Sequence, residues 1–282
     1  MIQNVTIVGV GLIGGSFALA LKEKNIAKHI IGVDFNEENV QKALKLGLID
    51  EIASLEEAVK KSDLIYVAIP VDATLAVMEK IMPLITKKQI VADAGSTKFA
   101  LSEKIKRYAL HKRYVATHPM WGTENSGPEA AVHGAFEGKA CVICNKQFSD
   151  ADAVEAIEEI YKKIGMHLIY MDANAHDLHA AYISHISHIT SFALANTVLE
   201  KEKEDEAIFE LASGGFESTV RLAKSNPAMW VPIFKQNKEN VLDVLNEHIM
   251  QLKKFKSCLE KDNYDYLLEL IEGANKIRRI IK

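Results

Sequence analysis

The stretch Gly9-Val10-Gly11-Leu12-Ile13-Gly14 constrains this chain more than any other. It follows a short Val/Ile-rich run and opens a helical pattern at Leu12. In that setting Gly9 allows a tight turn, Gly11 lets the backbone approach a pyrophosphate, and Gly14 permits close helix–sheet packing. The phosphates then rest on the helix N-terminus at Leu12 and Ile13. Glycines also cluster in ordinary strand–helix turns, so the pattern alone is weak. Its context is specific, because an acid, Asp34, ends the next strand 20 residues after Gly14. Asp34 can accept hydrogen bonds from ribose hydroxyls and repels a 2′-phosphate, and its neighbours Phe35 and Asn36 add no positive charge. The expected cofactor is therefore NAD rather than NADP.

The alternation continues downstream. Nearly continuous apolar runs predict strands at Asn4–Val8, Ile30–Asp34, Leu64–Ile69, Gln89–Asp93, Tyr114–Thr117, Ala140–Cys144 and Leu168–Met171. Helical patterns separate the early ones: Leu12–Lys24, Glu37–Leu46, Leu55–Lys61, Thr74–Ile81 and Thr97–Tyr108. Short connections between strands and helices in this order predict an α/β fold with a doubly wound, mostly parallel sheet of Rossmann type. After Met171 only helical periodicity remains, at Ala175–Leu199, Asp205–Leu211, Ser218–Ala223, Ala228–Gln236, Lys238–Leu259 and Asp265–Ile281. The expected domains are a dinucleotide-binding unit over 1–171 and a helical substrate and dimerisation unit over 172–282. Helices as long as Lys238–Leu259 in so small a unit call for a partner surface.

Composition excludes several classes. A net charge of −4 argues against a nucleic-acid binder that neutralises phosphates. No apolar run approaches the ~20 residues that span a bilayer, and the N-terminus shows no cleavable leader. Three cysteines cannot build a disulfide framework, which suits the cytoplasm. Cys141-Val142-Ile143-Cys144 is not read as a metal site, since positions i and i+3 of a strand face opposite sides.

Ligands of open α/β sheets bind beyond the carboxyl ends of the strands. Pro70 and Ser96 stand at two such ends, although Ser96 read alone is better explained as a helix cap. His118, at a third, is either a general base titrating near the ordinary histidine pKa of ~6.5 or a histidine satisfied by a turn that Pro119 fixes. His176, His179, His185 and His188 fall on one predicted helix in two i, i+3 pairs. At ~100° per residue the pairs point roughly opposite ways, so four metal ligands do not converge unless the helix breaks. His185 and His188 share a face that enters a cleft or packs a helix. Arg221 by itself is an ordinary solvated helix residue.

Taken together, five segments resemble the prephenate/arogenate dehydrogenase family: VGVGLIGGS at the start, DAGSTK around Ser96, THPMWGTENSG around His118, SHISH ending at His188, and GGFESTVRLAKSNPAMW around Arg221. They occur in the family's order and cover the chain from Asn4 into the last long helix. The resemblance implies an NAD-dependent oxidative decarboxylation of prephenate to 4-hydroxyphenylpyruvate, or of arogenate to tyrosine. It implies His118 as the proton acceptor, Ser96 as the residue that orients it and touches the nicotinamide end, and Arg221 as the grip on a substrate carboxylate. His188 would face the substrate as a donor to its ring carboxylate, Trp230 would lie near the arginine, and Glu124 would reach the neighbouring subunit's site in a homodimer. Where some relatives carry a base and an acid, this chain has Glu217 and Ser218, so their ion pairs around the arginine do not transfer. Neither an appended chorismate mutase module nor an ACT-type regulatory one is expected. β-Hydroxyacid dehydrogenases share the layout but place a lysine on the helix after the sheet, where this chain has histidines. A non-catalytic dinucleotide sensor would need Asp34 without Ser96, His118 and Arg221.

Overall fold

The computed structural model describes residues 2–203 and 209–280. Strand β1 (Ile2–Val8) leads through the glycine turn into α1 (Leu12–Glu23), followed by β2 (Ala27–Val33) and α2 (Glu37–Lys45). A two-residue strand β3 (Glu51–Ile52), too short to leave a pattern in the sequence, precedes α3 (Leu55–Lys61), β4 (Leu64–Val67), α4 (Val71–Ile81), β5 (Ile90–Asp93) and α5 (Phe99–Ile105). Then come β6 (Tyr114–Pro119), β7 (Ala140–Cys144), α6 (Ala151–Lys163) and β8 (His167–Met171). The strands form one sheet in the order β3-β2-β1-β4-β5-β6-β7-β8. Its first six strands run parallel, while β7 pairs antiparallel to β6 and β8 parallel to β7. The order reverses between β1 and β4, which places a crevice over their carboxyl ends.

Alternate side chains of each strand enter opposite core layers. Ile7, Tyr66 and Ile143 join Phe17, Leu21, Ile157 and Tyr161 on one face, whereas Val8, Ile65 and Val142 join Met78, Ile81 and Ile105 on the other. Phe17 stacks on Tyr66 with ring centroids 3.9 Å apart. Cys141 and Cys144 fall on these two opposite faces, as strand geometry requires, and burial pushes both thiols up to about 12. Helix α6, which the sequence reading leaves unassigned, buries Val154, Ile157, Ile160 and Tyr161 at helical spacing.

The remaining elements are helical: α7 (Ala173–Ala180), α8 (Ile186–Glu202), α9 (Gly214–Val220), α10 (Pro227–Gln236), α11 (Lys238–Glu260) and α12 (Tyr264–Asn275). Asp172 caps α7 by accepting from the Ala175 N–H at 2.8 Å, and Asn226 caps α10 with Pro227 at its first position. The single helix expected over Ala175–Leu199 is interrupted: a π-helical turn, Ala181–His185, separates α7 from α8. Residues 205–208 of the predicted Asp205–Leu211 helix, and its counterpart's end at Ile281, lie outside the described residues. Among the described residues no helix is long and apolar enough to cross a membrane.

Candidate active site

The glycine turn has the backbone that its sequence predicts. Gly9 has φ +91° and a Cβ there would strike the Ala68 carbonyl; a Cβ at Gly14 would strike the carbonyl of Gly9. Gly11 is open, with its nearest neighbour, the Gly127 nitrogen, 4.0 Å from where a Cβ would stand. One glycine thus closes the turn, one seats the helix, and one leaves space above the N-terminus of α1, where Leu12 and Ile13 are half-buried. Asp34 follows the end of β2 and accepts the Val10 N–H at 3.1 Å and the Asn36 N–H at 3.0 Å. A carboxylate has about four acceptor positions, so two stay available for ribose hydroxyls. Pro70 is exposed at the start of α4, above the end of β4. These features fit a dinucleotide.

The link between β6 and β7 folds back over this turn. Val132 N–H donates to Ser16 Oγ at 2.9 Å, and Glu129 pairs with Lys42 at 2.8 Å. The same link carries Glu124, whose carboxylate lies 3.2 Å from the Arg221 guanidinium. The family resemblance implied that Glu124 reaches a neighbouring subunit's site; here it meets the arginine of its own chain, because the folded-back link brings it to the turn that follows α9.

His118 occupies the carboxyl end of β6. Burial, then the repulsion a charged His118 would meet from a protonated His176, from Lys98 and from a protonated His185, holds its pKa well below the usual imidazole range. Its Nδ1 lies 2.8 Å from Nε2 of His176, whose Nδ1 is 2.8 Å from Asp177 Oδ1. Ser96 is half-buried on the connection between β5 and α5 and makes no side-chain hydrogen bond among the described residues. It is not the cap of α5. That place is taken by Asp177, which accepts the N–H groups of Lys98 at 2.7 Å and Phe99 at 2.9 Å. Below them, fully buried Lys98 pairs with Asp93 and donates to the Thr117 carbonyl at 2.8 Å.

The π turn sets the remaining histidines. His185 is buried, accepts from Asn237 Nδ2 at 3.2 Å, and is pushed down to about 4 by burial. It meets the Trp230 ring edge-on at 5.9 Å, and His188 stacks on the same indole at 3.4 Å. His188 donates from Nδ1 to the Ser184 carbonyl at 3.0 Å. Its pKa is lowered by burial, against the pull of that hydrogen bond, with the charge of Arg221 adding to the fall. A neutral ring whose Nδ1 proton is committed to Ser184 presents Nε2 as an acceptor, so His188 can donate from Nε2 only when protonated. Trp230 is the better placed donor: it is 6% exposed and its Nε1–H has no partner among the described residues.

The sequence motifs therefore converge. His118 neighbours His185, His185 and His188 both meet Trp230, and His188 and Glu124 both lie near Arg221. What the sequence reading missed is His176, Asp177 and Lys98. His176 was weighed only as a metal ligand, and Asp177 beside it went unremarked although an acid adjoining a histidine is a legible signal. Among the described residues no cluster of three or more His, Cys, Asp or Glu side chains is arranged to hold a metal.

A sheet of this order, with an intact glycine turn, an acid beyond β2 and a histidine over the crevice, defines a dinucleotide-binding oxidoreductase with a helical C-terminal domain. Comparison with known proteins narrows the class. Residues 17–170 match the prephenate dehydrogenase nucleotide-binding domain and residues 172–273 the prephenate dehydrogenase dimerization domain. The chain belongs to the prephenate dehydrogenase family. It is 34% identical to the prephenate dehydrogenase of Bacillus subtilis, over 99% of this chain and 76% of that one. It is 30% identical to the cyclohexadienyl dehydrogenase of Zymomonas mobilis, over 99% and 96%. The crystal structure of Aquifex aeolicus prephenate dehydrogenase with hydroxyphenyl propionate and NAD+ superposes with a TM-score of 0.92 at 31% identity, covering 100% of this chain and 99% of that one.

Proposed function

We propose that this enzyme oxidises and decarboxylates prephenate to 4-hydroxyphenylpyruvate with NAD. The observation that carries the reading is His118 at the carboxyl end of β6 next to His185, whose ring meets Trp230 in a cluster that continues through His188 to Arg221. Prephenate carries a ring carboxylate, a pyruvyl carboxylate and a 4-hydroxyl, and needs one base and donors for two anions.

Gly9, Gly11, Gly14, Leu12 and Ile13 hold the pyrophosphate, Asp34 the ribose, and Pro70 and Ser96 border the nicotinamide end. NAD bound there supplies the hydride acceptor. His118 accepts the 4-hydroxyl proton as the C4–H bond breaks, which is why it must be neutral at working pH. Arg221 holds the side-chain carboxylate through charge-assisted hydrogen bonds, shared with or released by Glu124. Trp230 turns its indole N–H toward the substrate, and His188 stacks behind it. Loss of CO2 then aromatises the ring.

Arogenate differs in having an ammonium where prephenate has a keto group. An acid near that carbon would favour arogenate, and Glu217 is the acid adjoining the Arg221 turn. Glu217 is exposed, and an exposed pair is worth only ~0–1 kcal/mol, so prephenate is the favoured substrate. We further infer a cytoplasmic homodimer in which the chain divides between residues 171 and 172. The test is absorbance at 340 nm with NAD and either substrate: a higher kcat/KM for prephenate is expected. A tenfold preference for arogenate, reversed by Glu217→Gln, would overturn the assignment.

A further inference from the structure

Beneath His118 lies a chain of hydrogen bonds that nothing in the proposed chemistry has yet used. Asp177 accepts three N–H donors. Lys98 N–H and His176 Nδ1 meet Oδ1 at 2.7 and 2.8 Å, and Phe99 N–H meets Oδ2 at 2.9 Å. Its own backbone carbonyl accepts from Asn237 Nδ2 at 2.7 Å, which ties α7 to the start of α11. His176 and Asp177 are both buried, at 2% and 4% exposure. This carboxylate is locked between the first residues of α5 and the π-interrupted helix, and its carboxylate oxygens act as acceptors throughout.

With His176 neutral, the state the relay requires, the donors and acceptors fix the tautomers; a protonated His176 would donate from Nε2 and reverse them. An ionised carboxylate only accepts, so His176 Nδ1 carries the proton in that contact. A neutral His176 then presents a bare Nε2. The 2.8 Å contact to His118 Nδ1 can be a hydrogen bond only if His118 donates from Nδ1. The bare nitrogen of His118 is thereby Nε2, which has no hydrogen-bond partner among the described residues and is the atom left to receive a proton from a ligand.

We propose that His176 and Asp177 are positioning residues, which hold His118 as the Nδ1–H tautomer and so keep Nε2 ready as the base. The inference rests on the reading of His118 as proton acceptor. The logic is that of a carboxylate–histidine–base relay, in which the buried acid fixes tautomer and orientation without itself taking the proton. Here a second imidazole is interposed between acid and base. As His118 gains its proton, the imidazolium donates more strongly to His176, which stays anchored to Asp177. The rings of His118 and His176 meet at 69° with centroids 5.0 Å apart, an edge-on arrangement that suits a nitrogen-to-nitrogen bond rather than stacking.

The deciding measurement is long-range 1H–15N correlation on the full chain labelled at histidine. His118 should appear as the Nδ1–H tautomer in the wild-type protein without substrate. In His176→Phe, which removes the acceptor, it should shift to Nε2–H or a mixture. In kinetics with NAD and prephenate, His176→Phe should lower kcat by about 10²-fold or more, with KM for both substrates within about threefold. His176→Gln, whose side-chain carbonyl can accept near the Nε2 position, should recover at least about a tenfold part of that loss. An Nε2–H His118 in the wild type overturns the relay even if the enzyme oxidises prephenate. So does a His176→Phe variant with unchanged tautomer and kcat. If His176→Phe does not fold, the wild-type spectrum decides alone. Because that spectrum uses no substrate, an Nδ1–H His118 in a protein inert toward prephenate would remove the functional assignment and leave the relay standing.

Discussion

His118 can accept a proton only while its imidazole is neutral, so its pKa sets the pH range in which it works as a base. A histidine base with an ordinary pKa would lose activity as pH falls through ~6.5. Burial, then the neighbouring His176, Lys98 and His185, hold His118 well below that value. The unprotonated form is the base, so activity should stay level through neutrality and fall only in clearly acid solution. We expect the acid limb of kcat/KM against pH to have its midpoint below 6.5; a midpoint at or above it would place the base elsewhere. His118→Asn should lower kcat by ~10²–10⁴-fold while NAD still binds, since only the proton acceptor is lost. Arg221 makes a different kind of contribution. Its guanidinium is 53% exposed and paired with Glu124, so it is available to exchange one carboxylate for another. A hydrogen bond to a charged group is worth ~1.5–3 kcal/mol, so Arg221→Ala should raise KM for prephenate about 10- to 150-fold. The dissociation constant for NAD, measured by fluorescence quenching, should stay unchanged. A collapse of NAD binding instead would assign Arg221 to the cofactor side.

At the scale of elements, the crevice depends on how the ends of β5 and β6 are tied. Lys98 does this from beneath: its ammonium, 0% exposed, joins Asp93 of β5 to the Thr117 carbonyl of β6. Asp93 also accepts from the Tyr114 hydroxyl at 2.6 Å and the Gly95 N–H at 2.9 Å. Breaking a buried pair by removing one partner costs ~3–5 kcal/mol, because the other charge is left uncompensated. Lys98→Met should therefore lower unfolding stability by roughly that amount in urea titration. A change within ~0.5 kcal/mol would show that Asp93 is adequately held by its other donors. Lys98 also marks where legibility in the sequence ended. The strands, the glycine turn and Asp34 could be read because periodicity and local turn geometry determine them. Convergence of the histidines could not, because it depends on the π turn Ala181–His185. A regular helix would set His176 and His185 half a turn apart, yet both surround His118 once the wider turn is inserted. Likewise the capping of α5 by Asp177 is a contact across 78 residues, and no local pattern announces it. Ser96 looked like that cap because it sits where a local cap would.

At the scale of the molecule, the helical half is incompletely covered. Helix α11, 23 residues long, buries only Val241, Val244 and Cys258, and α12 buries no residue. Leu242, Ile249, Met250, Leu252 and Leu259 of α11 and Leu268 and Ile271 of α12 remain between 39% and 59% exposed. Apolar surface on this scale marks an association site, and it lies within the segment that matches a dimerization domain. A two-fold axis would set each patch against its own copy. Sedimentation equilibrium at micromolar concentration should then give twice the 31.3 kDa of one chain. Fully burying an exposed leucine is worth ~1.5–3 kcal/mol, so Leu252 and Leu268, each still a little over half exposed, would contribute roughly 3–7 kcal/mol from both copies. That is a large share of the ~8–12 kcal/mol of a micromolar-to-nanomolar dimer, and Leu252→Glu with Leu268→Glu should leave a single chain in solution. Because Gly9, Gly11, Gly14 and Asp34 are held by contacts within the sheet half, NAD affinity of that double variant should change by less than about threefold. A variant that still sediments as a dimer would place the interface on another face of the helices. One that loses NAD binding as well would show that the sheet half depends on the pairing of the helical one.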